Sequence, residues 1–480
     1  MLQLLPRARC ASLLDLSSGR DHVKQIHAQM VTNALLRGGT CNAAKLMESY
    51  FAEDWEEGAG HAHLLFRQVP EELKDTFLWS VMLRFSSPED SLRLFSGQML
   101  KMRRSTPPDG KIYTHILQSC VRLRAIREGR QVQAQALKDG LITSLALATT
   151  CVHLYAVCRE IYSARRLFDE MPERSSVSWN AMLAGYCVNG FAKEALLLFK
   201  EMVWSETRTT KRTSLMLLSA CSQIGDLALG SAIHSLVLKT IPNPLGCPFT
   251  GTALVDMYSK CGSLGSASSL FHAMSGKNVI TWSTMAAALA IHGQGKAVME
   301  LMNSMEKEGI SPNAVTFTSL LSACGRAGLV EEGLRLFDEM QGRFNVSPTK
   351  QHYGCVVDLL ARSGMVEEAH QFIKNMPVKP DAVAWRALLS ACRMHGEAQL
   401  GGVIGKILIS LKQPPKESFS LPDSEDFVAL SNVYAFSERW EDVHSVRTTM
   451  KKNGLRNKAG HSSVHNIHLT VTGRHPYGQS

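Results

Sequence analysis

The chain has 480 residues, with 52 Lys and Arg against 43 Asp and Glu, so its formal net charge is +9. Its 45% of apolar residues, with 35 glycines and 17 prolines, excludes a wholly disordered or a collagen-like protein. No apolar run approaches the roughly 18 residues that a membrane span requires, so we expect no membrane partner. The 12 cysteines never form a CxxC pair, which is typical of a reducing interior rather than a small secreted disulfide scaffold.

The first twenty residues are weakly basic. Residues 1–20 contain Arg7, Arg9 and Arg20 but a single acid, Asp15. They lack the uninterrupted apolar core of a secretory signal, and their composition favours an organellar presequence. The alternative is that they are the basic start of the first helix.

An internal repeat dominates the rest of the chain. Trp179 in SVSWNAMLAGY, Trp282 in VITWSTMAAAL and Trp385 in AVAWRALLSAC are spaced by 103 residues, and Trp79 lies 100 residues before the first of them. A shorter motif, LFDEM or a variant of it, recurs with steps of 31, 72, 31, 35 and 36 residues and ends at Met171, Met202, Met274, Met305, Met340 and Met376. The chain is therefore built from units of about 31–37 residues.

Each unit predicts two amphipathic helices. In the unit that starts at residue 176, Trp179, Leu183 and Tyr186 lie on one face of a helix, and Asn189 and Gly190 are typical of the turn that ends it. A second helix with the same apolar spacing follows. Because neither helix can bury its apolar face alone, neighbouring units must stack. The predicted fold is all-α: an α-solenoid superhelix of stacked helix–turn–helix repeats.

Three segments carry a family resemblance: SVSWNAMLAGYCVNGFAKEALLLFKEM, GTALVDMYSKCGSLGSASSLFHAM and VTFTSLLSACGRAGLVEEGLRLFDEM. They resemble the pentatricopeptide repeat family, and the alternating unit lengths resemble its plant PLS class, E subgroup, without a DYW deaminase domain. Tetratricopeptide repeats, with about 34 residues each, are the alternative solenoid. The resemblance implies degenerate N-terminal repeats at 21–75, a PLS-type array at 76–381, E motifs at 382–466 with a flexible insertion at 412–426, and a truncated tail at 467–480.

The resemblance also implies which residues read RNA. Helical repeat proteins of this kind read one base per unit through two or three side chains, and in this family these are the fifth and the last residue of a unit. The predicted RNA-binding residues are Ser80, Asp109, Thr114, Ser144, Thr149, Ser175, Asn180, Thr210, Thr252, Asn278, Ser283, Asn313, Thr318 and Thr349. The predicted base-sandwiching residues, at the second position, are Phe77, Val177, Ile280 and Val315. A Ser or Thr at a helix start is usually a cap, but recurrence at one position of every first helix favours base reading.

The pairs predict a base preference. By the family's rule, Ser or Thr with Asn favours adenine, and Ser with Asp favours guanine. We therefore expect adenine at the units that start at 248 and 279 and guanine at the unit that starts at 76, which together give G-N4-A-A. The pair Leu215 and Cys247 cannot make such contacts.

No catalytic or metal site is predicted, and no cofactor. A cytidine-deaminase-like zinc site needs His-x-Glu and a later Pro-Cys-x-x-Cys. His395 and Glu397 have the first spacing, but the chain contains no CxxC. The histidines near the end have no cysteine beside them: His461, His465, His468 and His475. We expect the chain not to be an enzyme.

The function implied by the resemblance is sequence-specific binding of single-stranded RNA in a plant organelle, the mitochondrion or alternatively the chloroplast. The favoured role is selection of sites for C-to-U editing, with a deaminase-bearing or editing-complex protein recruited through the E region at 382–466. One alternative is a factor that stabilises or processes organellar transcripts without editing. Another is a helical-repeat scaffold for proteins.

Overall fold

The computed structural model describes residues 20–32, 40–52, 58–70, 73–105, 108–141, 144–411 and 424–455. In these ranges the chain forms 25 α-helices and no β-strand, which confirms the predicted all-α class. None of the helices in this part of the chain has the length and apolarity needed to cross a bilayer.

The chain divides into two compact units, residues 1–223 and 224–480. The helices of the first unit are α1 (Arg20–Thr32), α2 (Thr40–Ala52), α3 (Gly58–Gln68), α4 (Thr76–Phe85), α5 (Pro88–Ser105), α6 (Gly110–Leu123), α7 (Ile126–Lys138), α8 (Leu145–Val157), α9 (Ile161–Glu170), α10 (Ser176–Val188), α11 (Ala192–Trp204) and α12 (Lys211–Ile224). Those of the second unit are α13 (Leu227–Thr240), α14 (Pro248–Lys260), α15 (Leu264–Ala273), α16 (Val279–Ile291), α17 (Gly295–Lys307), α18 (Ala314–Ala327), α19 (Val330–Gly342), α20 (Lys350–Arg362), α21 (Val366–Lys374), α22 (Ala382–His395), α23 (Ala398–Leu411), α24 (Ser424–Phe436) and α25 (Trp440–Lys452). A 3-10 turn, Pro244–Gly246, precedes α14.

Even-numbered helices are the first helices of the repeats and odd-numbered helices are the second. Each first helix contacts the first helix of the next repeat, from α2 to α10 in the first compact unit and from α14 to α24 in the second. The second helix of a repeat packs on the first helix of its own repeat, as α15 packs on α14. This stacking, in which each repeat contacts its neighbours, confirms the α-solenoid class.

The tryptophan period has a packing cause. The Trp179 ring meets the Phe168 ring edge-on at 4.9 Å between centroids, and Trp282 meets Phe271 at the same distance. Each phenylalanine belongs to the LF motif of the preceding repeat, so the two sequence periods describe one interface between repeats. The tryptophans of this series are buried: Trp79, Trp179, Trp282 and Trp385. The tryptophan series therefore belongs to the core.

Three cysteines on first helices, spaced by about one hundred residues, are also packing residues. Cys120, Cys221 and Cys324 are fully buried on first helices. Burial raises the pKa of Cys120 to about 12 and that of Cys324 to about 11, so both thiols are neutral at pH 7. Neutral buried thiols act as small apolar side chains rather than as nucleophiles.

The turn after α10 differs in detail from the prediction. Gly190 has the left-handed φ of 80°, whereas Asn189 has φ −92° and does not. Instead, the Asn189 amide donates to the carbonyl oxygens of Gly185 at 2.7 Å and Ala156 at 2.8 Å. Asn189 therefore ties the end of its own helix to the first helix of the preceding repeat.

Three residues of the predicted insertion are helical. Residues 412–423 lie outside the described part of the chain, but 424–426 form the first turn of α24. Glu425 and Asp426 suit a helix amino terminus, and Asp426 is bound by Arg386. The flexible assignment was wrong for these three residues. Of the predicted presequence at 1–20, residues 1–19 lie outside the described residues, and so do residues 456–466 of the E motifs and the predicted tail at 467–480.

Candidate nucleic-acid interface

In several units, the side chain of the last residue caps the first helix of the next unit. Asn278 and Asn313 are the N-caps of α16 and α18, and the Oδ1 atom of each accepts from the backbone N–H three residues on, at 3.0 Å. Asp109 caps α6 in the same way, accepting from Ile112 at 2.9 Å. At these positions the side chains are caps, as a helix start would favour, and the cap fixes which atom faces away from the helix.

That outward atom differs between Asn and Asp. Within the described residues, the Nδ2 groups of Asn278 and Asn313 make no hydrogen bond to the protein, and neither does the Oδ2 atom of Asp109. An amide Nδ2 can only donate, and a carboxylate Oδ2 can only accept. Adenine presents an acceptor at ring atom N1, and guanine presents a donor there. The outward donor of Asn is therefore complementary to adenine N1, and the outward acceptor of Asp is complementary to guanine N1–H.

In four repeats, a third residue joins the fifth residue to the last residue. In the repeat that starts at 279, the Ser283 and Thr316 hydroxyl oxygens lie 2.8 Å apart, and Thr316 Oγ1 donates to Asn313 Oδ1 at 3.0 Å. Thr316 is the third residue of the following repeat. We call such a residue a bridging residue. It brings together two side chains that are 30 positions apart in the sequence.

The same connection occurs in three other repeats. Thr281 bridges Thr252 at 2.8 Å and Asn278 at 3.0 Å. In the first compact unit, Ser178 bridges Thr149 at 2.9 Å and Ser175 at 3.1 Å. The bridging residues are thus Ser178, Thr213, Thr281 and Thr316, and all four are buried.

Asn180 is held more tightly than the other fifth residues. Its Nδ2 donates to Thr210 Oγ1 at 3.0 Å, and its Oδ1 accepts from the bridging residue Thr213 at 2.8 Å. Asn180 is 5% exposed, as is Ser283. The two hydrogen bonds hold the amide in one orientation, although its Nδ2 group keeps a second hydrogen.

Three predicted pairs are not bridged by hydrogen bonds in the described structure. They are Ser80 and Asp109, Thr114 and Ser144, and Thr318 and Thr349. The bridging position holds Ile112 for the first pair and Leu147 for the second, neither of which has a hydroxyl. The Thr114 hydroxyl donates instead to the Gly110 carbonyl oxygen at 2.7 Å, and that of Thr318 to Ala314 at 3.0 Å.

His352 occupies the bridging position after Thr318 and Thr349. Its Nε2 lies 2.7 Å from the Ala314 carbonyl oxygen, which can only accept, so Nε2 carries the hydrogen. The backbone N–H of Thr349 donates to Nδ1 at 2.9 Å. His352 therefore stabilises the helix start but does not contact the Thr318 side chain through a hydrogen bond in the described structure.

The second residues form an exposed apolar series. Phe77, Val177, Ile280 and Val315 are between 51% and 65% exposed, although each lies next to buried residues of a first helix. Two further members were missed in the sequence analysis: Phe249 in the repeat that starts at 248, and Val383 in the one that starts at 382. Both are at the second position of their repeat, and this position could have identified them from the sequence.

These positions meet in a cleft of about 450 Å³ in the first compact unit. Its lining includes the fifth residues Thr149 and Asn180, the second residues Val177 and Arg212, and the last residue Thr210. His153 also lines it, and burial together with the Arg212 charge lowers the pKa of that imidazole. The lowered pKa favours the neutral imidazole of His153, and the exposed Arg212 contributes positive charge to the cleft.

The repeat that starts at 382 has a different pair. Arg386 occupies its fifth position and Asp426 the third position of α24, where the earlier repeats have a bridging residue. The Arg386 guanidinium donates to both Asp426 carboxylate oxygens, at 2.5 and 3.1 Å. Asp426 is 3% exposed. An ion pair therefore replaces the hydrogen bond that joins the fifth residue to the bridging residue elsewhere.

The residues of the zinc-like spacing do not form a cluster. Gly396, between His395 and Glu397, ends α22 with a left-handed φ of 78°. Among the residues that the structure describes, no three His, Cys, Asp or Glu side chains are arranged to hold a metal ion. The four histidines between 461 and 475 lie outside that part of the chain.

Comparisons with known proteins match both the repeats and the carboxyl-terminal region. The PPR repeat family model matches residues 277–326, the PPR repeat model matches 177–206, 252–279, 315–343 and 352–379, and the E motif model matches 419–465. The pentatricopeptide repeat-containing protein At3g18970 of Arabidopsis thaliana is 42% identical over 97% of this chain and 100% of its own. At1g59720 of the same plant, whose name adds chloroplastic/mitochondrial, is 36% identical over 82% of this chain and 62% of its own.

A solved structure has a similar fold. The crystal structure of the pentatricopeptide repeat protein PPR10 in complex with an 18-nt psaJ RNA element superposes with a TM-score of 0.67 at 16% identity. The match covers 90% of this chain and 64% of the PPR10 chain.

Proposed function

The chain belongs to the pentatricopeptide repeat family, and from this premise we propose that it binds single-stranded RNA and reads bases through the paired fifth and last residues of its repeats. The observation that carries the proposal is the bridge, since it brings the two polar side chains of a pair together in four repeats. The shared fold with PPR10, which was solved with an RNA element, supports it.

Each reading site has two parts. The exposed apolar second residue, such as Ile280 or Val315, offers a surface on which a base can stack. The polar pair faces the edge of that base and offers donors or acceptors. This division matches single-stranded RNA, whose unpaired bases expose both a face and an edge.

The base preference follows from the outward atoms. Asn278 and Asn313 present donors, which suit adenine N1, and Asp109 presents an acceptor, which suits guanine N1–H. With one nucleotide for each repeat, the proposed preference remains G-N4-A-A.

We further propose that the bound RNA is an organellar transcript and that binding selects a cytidine for C-to-U editing. The E motif match at 419–465 supports this role, because the family resemblance assigns recruitment of an editing partner to the E region. The deaminase would be a separate protein bound through the E region, and this chain would not be catalytic. The name of the relative At1g59720 includes both organelles, so we propose the mitochondrion, with the chloroplast as the alternative.

A binding titration tests the RNA proposal. A labelled RNA with G-N4-A-A and a matched RNA with both adenines replaced by guanines are titrated with the full chain between 50 and 200 mM salt. We expect the first RNA to bind more tightly, and both affinities to fall with salt, because each neutralised phosphate contributes about −0.7 to the logarithmic slope for single strands. Equal affinities that do not depend on salt would contradict RNA binding by this surface.

A reconstituted assay tests the editing role. An RNA with G-N4-A-A upstream of a cytidine is incubated with the chain alone, with a deaminase-bearing partner alone, and with both. We expect conversion of that cytidine only when both proteins are present. Conversion by the chain alone would contradict the non-catalytic proposal. Binding without conversion in any mixture would favour transcript stabilisation instead.

A further inference from the structure

We infer that the bridging residue is a specificity-determining residue for the preceding repeat, although it does not contact the RNA itself. This inference rests on the proposed reading of bases. It extends the reading site from two polar residues to three, the third of which lies in the next repeat and under the surface. Thr281 and Thr316 are 0% and 2% exposed, so any effect they have on a base must act through the pair above them.

The hydrogen bonds of Thr281 determine the direction of the bridge. Its hydroxyl donates to Asn278 Oδ1 at 3.0 Å, because an amide oxygen cannot donate. A hydroxyl has one hydrogen, so in the 2.8 Å contact with Thr252 the donor must be Thr252. The bridge therefore turns the Thr252 hydrogen towards the protein interior.

The pair then offers a fixed pattern to a base. Thr252 presents only its oxygen lone pairs, which accept, and Asn278 presents its Nδ2 hydrogens, which donate. The Watson–Crick edge of adenine has an amino donor beside the N1 acceptor and is complementary to this pattern. Guanine has a carbonyl acceptor beside the N1–H donor, and both groups conflict with it. Without the bridge, the hydroxyl can rotate towards either base or, as in Thr114, towards the carbonyl oxygen four residues earlier.

The repeat that starts at 279 has the same arrangement of hydrogen bonds. Thr316 donates to Asn313 Oδ1 at 3.0 Å, so Ser283, at 2.8 Å, can only donate to it. The other acceptor near the Ser283 hydroxyl is the Val279 carbonyl oxygen at 2.8 Å, which also lies within the helix. In both alternatives the hydrogen points inward, and the adenine pattern is kept.

The guanine repeat lacks the bridge. Ile112 occupies the bridging position after Ser80 and Asp109 and has no hydroxyl. The Ser80 hydroxyl is therefore free to donate to the guanine carbonyl oxygen while Asp109 accepts from N1–H. Among the three repeats with a predicted base, the two predicted to read adenine have a hydroxyl at the bridging position, and the one predicted to read guanine has an apolar residue there.

Thr281→Val tests the inference, because it removes the hydroxyl and keeps the shape of the side chain. Binding of the full chain is measured with two RNAs that differ only by adenine or guanine at the nucleotide of this repeat. We expect the ratio of adenine to guanine affinity there to fall roughly threefold to tenfold, which corresponds to the net contribution of one hydrogen bond. The preference at the neighbouring nucleotide, which belongs to Ser283 and Asn313, should not change. Thr281→Ser should retain the wild-type preference at both nucleotides.

Thr284→Val is the matched control. It removes a hydroxyl from the same helix, and that hydroxyl bonds only the Ile280 carbonyl oxygen, at 2.8 Å, in the described structure. We expect it to leave both preferences unchanged. Thr316→Val provides an independent measurement at the next nucleotide should Thr281→Val fail to fold.

The outcomes separate the two levels of the proposal. An unchanged adenine preference in folded Thr281→Val or Thr316→Val would overturn the role of the bridging residue. A wild-type chain that binds these RNAs without preferring adenine would instead overturn the proposed base reading.

Discussion

At the scale of single residues, an Asn or Asp at the last position of a repeat performs two tasks with different atoms. Asn313 uses Oδ1 to cap α18 and leaves Nδ2 exposed, and Asp109 uses Oδ1 to cap α6 and leaves Oδ2 available. Asn and Asp are among the best N-cap residues, so exchanging them costs little helix stability. The outward atom can therefore vary between a donor and an acceptor without loss of the fold.

Asn313→Asp should move the preference at one nucleotide from adenine towards guanine, by about tenfold in the ratio of affinities. The cap is retained because Asp109 shows that an aspartate can accept from the same backbone position. Competition between RNAs that differ at that nucleotide measures the change. Asn345→Asp makes the same chemical change outside the site and should have no effect. An unchanged preference in folded Asn313→Asp would show that the assigned register is wrong.

At the scale of elements, close approach between helices of neighbouring repeats depends on small residues. Gly295 begins α17, and a Cβ atom there would lie 2.4 Å from the Cβ of Ala327 and 2.9 Å from Leu329 Cδ1. The first of these atoms is attached directly to the backbone of α18 and cannot rotate away. The two helices could accommodate it only by moving apart, and a packed core resists such a shift.

Gly295→Ala should destabilise the chain by about 1–3 kcal/mol, the usual cost of overpacking. Gly265→Ala is the control, since Gly265 lies at the start of the equivalent helix α15 and has no atom within 4 Å of its Cβ position. There the substitution should be neutral or stabilising, because alanine favours helix. Urea denaturation followed by circular dichroism measures both. Equal stability of the two variants would contradict the packing account.

Arg386→Met should destabilise the chain by about 2–3 kcal/mol, because it leaves the buried Asp426 carboxylate without its guanidinium. The value lies below that of a fully buried pair, since the Arg386 side chain is 35% exposed. Arg393→Met, at an exposed position of the same helix, is the control and should change stability by less than about 0.5 kcal/mol. The thermal unfolding midpoint distinguishes them. A midpoint equal to that of the control would indicate that the ion pair contributes little to folding.

At the scale of the whole molecule, the repeat period was sufficient to predict the fold class. The period is visible because the same contact, Trp179 against Phe168 and Trp282 against Phe271, recurs in successive repeats. The second, fifth and last positions follow from the period by family resemblance. Their side-chain contacts do not, since these depend on the distance between stacked helices.

The bridging residues illustrate this limit. Thr281 looks like an ordinary residue in the first turn of a helix, and only the stacking of α14 on α16 places its hydroxyl 2.8 Å from Thr252. The Arg386 and Asp426 pair was missed for a related reason, because Asp426 lies at the end of a Pro- and Ser-rich segment that predicts a loop. The burial of Asn180 was likewise invisible, since an isolated helix would expose its polar side chain.

Selection of bound sequences from a random single-stranded RNA pool tests the central claim most directly. The full chain is incubated with the pool at about 100 mM salt, and the retained RNA is sequenced. The paired-residue account predicts enrichment of G-N4-A-A, with its two adjacent adenines as the strongest positions because Asn278 and Asn313 both present fixed donors. Retained RNA with no base preference at any position, or with guanines where the adenines are expected, would contradict it.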